Sequence, residues 1–306
     1  MNEIVLTGIK ADIPIGAMAA FGLFRIVNCI RLQGETRLSW APRGSSWRPV
    51  LSTDGKVSEE GLIEDLVAYL QSHCDRREFG WRHEIKGATP EQYNEAARPS
   101  IGEAQSTEHE LADWFSSFAN ELITTEEGTL ERTPFDMTVA QQRFLDYGKW
   151  LAAELAGDKN ASARLREALF GPWKYKDEQH SLGWDPSTIL LGAFTVKKPE
   201  TMKKWGVRAA VWLATESLPL FPCFCTDSKL ATRAFRSVGR AREFCWPVWR
   251  KPIPLAVLKS LLASPDLIDP DKLKTLRSRG VDGVFRSRKF KPNKYMVSFQ
   301  PAEFSA

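Results

Sequence analysis

Apolar residues between positions 13 and 30 fall on more than one face of a helix: Met18, Phe21, Leu23, Phe24, Val27 and Ile30. All-round hydrophobicity of this kind marks a buried helix, and the pattern predicts one over 17–32. Ala19, Ala20 and Gly22 are small, as close packing against a sheet requires. Ahead of the helix, 4–6 reads as a short strand. Behind it, 37–40 alternates like a half-exposed strand, and 47–51 continues as another after a Gly-Ser turn. The chain therefore opens as strand, helix, strand.

Ser58 supplies a capping hydroxyl for a second helix, in which Leu62, Leu66, Tyr69 and Leu70 recur at helical spacing until about His73. The polar stretch 76–105, punctuated by Gly80, Gly87, Pro90 and Pro99, reads as loop-rich. Amphipathic patterns then predict a helical middle. One helix spans 107–122 with Leu111, Trp114, Phe115 and Phe118; a second spans 138–155 with Phe144, Leu145, Tyr147, Trp150 and Leu151; a third spans 161–170. A Gly/Pro/Trp-rich connection over 171–186 follows. Beyond it the pattern predicts a helix at 199–217, strands at 218–225 and 244–249, helices at 255–262 and 269–279, and closing strands at 281–288 and 295–299. The expected fold class is α+β: an N-terminal strand-helix-strand unit, a helical middle and a mixed α/β C-terminal part. A soft boundary divides it into 1–185 and 186–306, the alternative being one continuous domain.

Charge sharpens that division. Residues 196–306 carry 22 Lys+Arg against 9 Asp+Glu, whereas the first 195 carry 20 against 29, so a formal net charge of +4 conceals an acidic body and a basic last third. Concentrated positive charge points to a polyanionic partner, nucleic acid before membrane, with a solvated basic face as the plain alternative. The basic residues fall into four groups. They are Lys197, Lys198, Lys203, Lys204 and Arg208; Arg233, Arg236, Arg240 and Arg242; Arg250 and Lys251; and Arg277, Arg279, Arg286, Arg288, Lys289, Lys291 and Lys294. Such side chains supply phosphate contacts and release counterions. Arg233, Arg236 and Arg240 would form one stripe on a helix. Arg286, Arg288 and Lys289 form the tightest cluster, and Phe290 and Tyr295 beside them suit base stacking or a packed interior.

At 306 residues and 43% hydrophobic composition the chain has enough apolar material for a sizeable core. Five scattered cysteines form no disulfide framework and fit a reducing cytoplasm. Arg25 and Asn28 interrupt the apolar run at 13–30, which has neither a basic leader before it nor a small-residue cleavage site after it, so a soluble chain without a membrane partner is expected. Cys223, Cys225 and Cys245 invite zinc but lack a fourth ligand, and buried small hydrophobes fit them as well. No phosphate-cradling glycine loop, nucleophile elbow or His-Glu-x-x-His pair occurs. Neither catalytic residues nor a cofactor or metal is therefore expected, although Asp65, Asp113, Glu121, Asp136 and Asp185 leave a metal-dependent nuclease open.

Two stretches resemble a known family. The opening LTGIKADIPIGAMAAFGLFRIV, then RLSW and WRPVL, resembles the start of CRISPR-associated proteins of type I systems, above all the divergent type I-G (I-U) group. HSLGWDPST through AAVWLATESLPLFP, joined to RSRGVDGVFRSRKF, is similar to the later part of proteins from such loci. Together these cover about a third of the chain, and Ile13-Pro14-Ile15 stands where Asn-Pro-Leu is commoner. The resemblance implies a Cas8-like large subunit of an RNA-guided surveillance complex (Cascade) in prokaryotic antiviral defence. Its partners would be target DNA, guide RNA and the other effector subunits in a hetero-oligomer, with reading of the adjacent motif on the DNA and cleavage left to a recruited helicase-nuclease. A protein–protein assembly subunit without direct DNA contact is the remaining alternative.

Overall fold

The computed structural model describes residues 2–30, 35–75, 77–79, 81, 83–103, 109–187, 205–293 and 296–306. Its N-terminal part is an antiparallel sheet ordered β1-β3-β2, made of β1 (Asn2–Val5), β2 (Thr36–Arg43) and β3 (Ser46–Thr53), with α1 (Pro14–Cys29) between the first two. The helix begins three residues ahead of the predicted start because Pro14, with its fixed φ, occupies the first turn. Besides packing against β2, the helix meets another helix at Gly22. A Cβ at Gly22 would lie 1.8 Å from the Leu213 carbonyl oxygen, so only glycine permits that crossing. Arg25, which breaks the apolar run in sequence, is buried and ion-paired with Glu216 at 2.6 Å and Glu110 at 3.2 Å. A charge at that depth persists only when neutralised.

The middle of the chain contains α2 (Glu59–Ser72), α3 (Pro90–Glu103), α4 (Glu110–Phe118), the hairpin β4 (Ala119–Thr124) and β5 (Leu130–Arg132), α5 (Phe144–Ala156) and α6 (Ala161–Leu169). Ser58 caps α2 as expected, its hydroxyl accepting from Gly61 N at 3.0 Å. The stretch at 76–105, expected to be loop-rich, contains α3, which carries Pro99 inside it. The helix expected over 107–122 ends at Phe118, where the chain extends into β4, and the one expected from 138 starts at Phe144.

β6 (Asp177–Glu178) pairs with β7 (Trp205–Gly206), and α7 (Arg208–Thr215) is the part of the predicted 199–217 helix that lies among the described residues. The strand expected at 218–225 begins as a 3-10 turn and becomes β8 (Cys223–Thr226), hairpinned to β9 (Lys229–Thr232). The main sheet follows: β10 (Phe235–Val238), β11 (Ala241–Val248), β12 (Gly283–Asn293), β13 (Met296–Phe299) and β14 (Glu303–Ser305), with α8 (Leu255–Ala263), α9 (Pro265–Ile268) and α10 (Leu273–Ser278) inserted after β11. Long β12 pairs with β11 on one side and with β14 and β13 on the other. The protein is thus α+β, with small antiparallel sheets and a helical middle.

One cluster of buried apolar side chains draws on residues from both sides of position 185. Phe21, Trp40 and Trp249 meet within it at ring separations of 6.2–6.4 Å. The Trp246 indole donates to Ala11 O and the Trp249 indole to Leu38 O, both at 2.8 Å, so buried aromatics of the C-terminal part satisfy main-chain groups of the N-terminal part. Among the described residues no helix is long and apolar enough to cross a membrane.

Candidate nucleic-acid interface

The structure disperses the basic groups. Lys197, Lys198, Lys203, Lys204 and Lys294 lie outside the described residues. Arg233, Arg236 and Arg240 share no helix: Arg236 is on β10, Arg233 lies just before that strand, and Arg240 is exposed in the turn to β11. Their spacing of three and four is a coincidence of hairpin length. Arg233 donates to Leu220 O at 3.3 Å, and burial pushes its guanidinium pKa down. Arg242 pairs with Glu131 at 3.3 Å.

The cluster Arg286, Arg288 and Lys289 on β12 is largely turned to internal use. Antiparallel register sets Glu243 opposite both Arg236 and Arg288, and its buried carboxylate binds the first at 2.5 Å and the second at 3.0 Å. Arg286 is only 6% exposed, beside Cys245, whose thiol burial pushes up to about 12. The Lys289 ammonium donates inward to Pro134 O at 3.1 Å and Asp136 O at 3.3 Å, and burial pulls its pKa down to about 8. Lys291 is exposed, whereas Phe290 is half-buried and Tyr295 lies outside the described residues.

A different part of the basic set converges with aromatics. A groove of about 580 Å³ is lined by Trp47, Arg250, Lys251, Arg277, Gly280, Val281, Asp282 and Phe304. Trp47 is the second residue of β3, just after the Gly44 turn, while Arg250 and Lys251 follow Trp249 beyond the end of β11. Asp282 fixes that exit: its carboxylate accepts from Arg250 N at 2.9 Å and lies 3.3 Å from Arg250 Nε, which leaves the guanidinium 5.6 Å from the Trp47 ring centroid. Arg277 comes from the last turn of α10. Phe304 on β14 lies 4.5 Å from Phe285 and 6.4 Å from Trp47, ring to ring. Gly283 makes the room, since a Cβ there would stand 2.5 Å from the Phe304 ring.

Arg250, Lys251, Arg277 and Phe304 are all exposed, and among the described residues neither Lys251 nor Arg277 has an ion-pair partner. The groove thus offers three cations, one of them fixed by Asp282, beside two aromatic rings, the combination that holds phosphates and stacks bases. Arg250, Lys251 and Arg277 were identifiable from their charge. Trp47 and Phe304 were not, because no local pattern joins residues from opposite ends of a chain.

The zinc arrangement does not assemble: Cys223 is buried on β8, Cys225 is exposed two residues on, and Cys245 belongs to a different sheet. Among the described residues no three His, Cys, Asp or Glu side chains group as a metal site. Compared with protein-family models and with curated protein sequences, the chain matches none, so the groove is interpreted from its own geometry.

Proposed function

We propose that this chain is a non-catalytic nucleic-acid-binding subunit of a CRISPR type I RNA-guided surveillance complex in the cytoplasm, contacting target DNA and working beside guide RNA and other effector subunits. The observation that carries the nucleic-acid part is the groove in which Arg250, Lys251 and Arg277 meet Trp47 and Phe304. Exposed guanidinium and ammonium groups without carboxylate partners are free to neutralise phosphates, and aromatic rings beside them suit bases. Support for the CRISPR part is the resemblance of the opening segment and of the RSRGVDGVFRSRKF stretch. That second stretch supplies the wall of the groove, from Arg277 through Asp282.

The test is binding of the purified chain to labelled duplex DNA, single-stranded DNA and RNA over a salt series, with and without magnesium. Affinity falling steeply with salt, without cleavage, is expected. Changing Arg250, Lys251 and Arg277 together to Gln should lower the salt slope by about one for each phosphate that is no longer neutralised. Salt-independent binding, or an unchanged slope in that variant, overturns the reading, and magnesium-dependent cleavage replaces it with a nuclease.

A further inference from the structure

A second concavity lies away from the groove. It is an open cleft of about 760 Å³ between three separate segments: His83, Glu84, Lys86 and Gly87; the β4–β5 hairpin from Thr125 to Arg132; and Ala140 to Arg143 leading into α5. Its size falls in the range of small-molecule sites. Its lining mixes apolar and polar surface. Cations come from Lys86, Arg132 and Arg143, carboxylates from Glu84 and Glu127, and hydrogen-bonding amides and hydroxyls from Gln141, Gln142, Thr125 and Thr129.

Glu84 anchors one side, its largely buried carboxylate accepting from Leu145 N in the first turn of α5 at 2.7 and 3.2 Å. Arg132 uses only Nη1 on Asp136 and Thr138, at 2.9 and 3.2 Å, which leaves its Nε and Nη2 without a partner among the described residues. Lys86 donates to Ala140 O at 2.5 Å, bridging two of the walls, and Arg143 pairs with Asp146 at 2.8 Å.

We propose that this cleft binds a nucleoside monophosphate, its phosphate on Arg132, Lys86 and Arg143 and the polar edge of its base on Glu84 and the glutamines. Inorganic phosphate would engage only the cationic part of so large a space, and a nucleoside only the amide and carboxyl part. Arg132 offers the planar, two-pronged donor that phosphate oxygens match. Glu84, whose carboxyl burial raises to about 7, can both accept and donate to a heterocycle near neutral pH. The nucleotide is either free or the phosphorylated end of a strand. This site is independent of the groove and stands whether or not the groove binds nucleic acid.

Calorimetric titration of the full chain with AMP, GMP, CMP and UMP, and with inorganic phosphate and the four nucleosides, tests it. At least one monophosphate should bind more tightly than its nucleoside and than phosphate. Affinity should fall about tenfold in Lys86→Ala and in Arg143→Gln, the size of one charge-assisted hydrogen bond, and stay unchanged in the Arg250→Gln, Lys251→Gln, Arg277→Gln triple variant. Glu84→Gln, with its fold checked by circular dichroism, should alter the preference among bases and leave phosphate affinity in place. Competition by a 5′-phosphorylated trinucleotide identifies a strand end, and its absence a free nucleotide; either keeps the assignment. No binding of any monophosphate at millimolar concentration overturns it, as does binding indifferent to both Lys86→Ala and Arg143→Gln.

Discussion

The strands β10 to β12 of the main sheet and the groove beside Trp47 carry comparable numbers of cations put to opposite uses. On the sheet, Arg236 and Arg288 close on the single carboxylate of Glu243, Arg286 is buried, and Lys289 turns its ammonium onto two main-chain carbonyls. In the groove, Lys251 and Arg277 stand exposed with no ion-pair partner among the described residues, and Arg250 is held by Asp282 across the face of Trp47. The difference teaches that positive charge in a sequence locates a binding surface only after the cations consumed by the fold are subtracted. The densest cluster, Arg286 to Lys289, is the one most committed to structure.

The largest effect that would break this comparison is on stability. Replacing Arg236 and Arg288 together by Gln leaves Glu243 buried and unpaired, which should destabilise the protein by about 3–5 kcal/mol in urea unfolding. DNA affinity below the transition should stay within about threefold. Loss of affinity with unchanged stability would make the sheet face the binding surface. Next, the Arg250→Gln, Lys251→Gln, Arg277→Gln variant should lose about tenfold to a hundredfold in affinity at low salt with its melting temperature nearly unchanged, as expected for exposed charges. Equal losses of both would show that the groove, too, is structural.

A third effect follows from Lys289. Its pKa in the folded chain, about 8, lies below the ordinary lysine value of 10.5, so the folded state binds fewer protons than the unfolded one between those values. Stability contributed by this residue therefore rises as pH increases through that window and is lost as pH falls through 8. The stability difference between the wild type and Lys289→Met should move toward the wild type by on the order of 1–2 kcal/mol from pH 7 to 9.5. A flat difference would mean that the ammonium is solvated and available to ligands. The smallest effect belongs to Phe304→Leu, which keeps apolar cover over Phe285 but removes the flat ring. Affinity for single strands should fall about fivefold and that for duplex should hold, since one stacked base is worth about 1 kcal/mol or more. An equal fall for both would assign Phe304 to packing alone.

Much of the fold was legible because local pattern and tertiary role agree. The apolar positions from Met18 to Val27 announce α1, although Pro14 starts it three residues earlier than the pattern does, and Ser58 announces α2 through the bond it makes to Gly61 N. Legibility failed where they disagree. α3 is polar and holds Pro99 in its interior, so its sequence looks like a loop. At Ala119 the amphipathic run continues while the chain turns extended: Ile123 goes into a small second core with Cys223 and Leu230, and Leu122 is left 71% exposed. Arg233, Arg236 and Arg240 imitate a helical stripe because the hairpin closed by left-handed Gly239 has nearly the same spacing. For the site, Arg250, Lys251 and Arg277 could be found by charge. Their distinction from Arg288 and Lys289 could not, because Glu243 and the carbonyls of Pro134 and Asp136 reach them only through cross-strand register and tertiary packing.

The indole of Trp249 donates to Leu38 from 211 residues further along the chain, and that of Trp246 to Ala11 from 235. On the ribosome this sets an order of events. The apolar face of the first helix, with Phe21 and Trp40, emerges long before the tryptophan that covers it exists. At ordinary elongation rates that interval lasts roughly 10–40 s. Throughout it the nascent chain presents an unfinished hydrophobic surface, so its yield in cells depends on what shelters that surface during synthesis as well as on the stability of the finished protein.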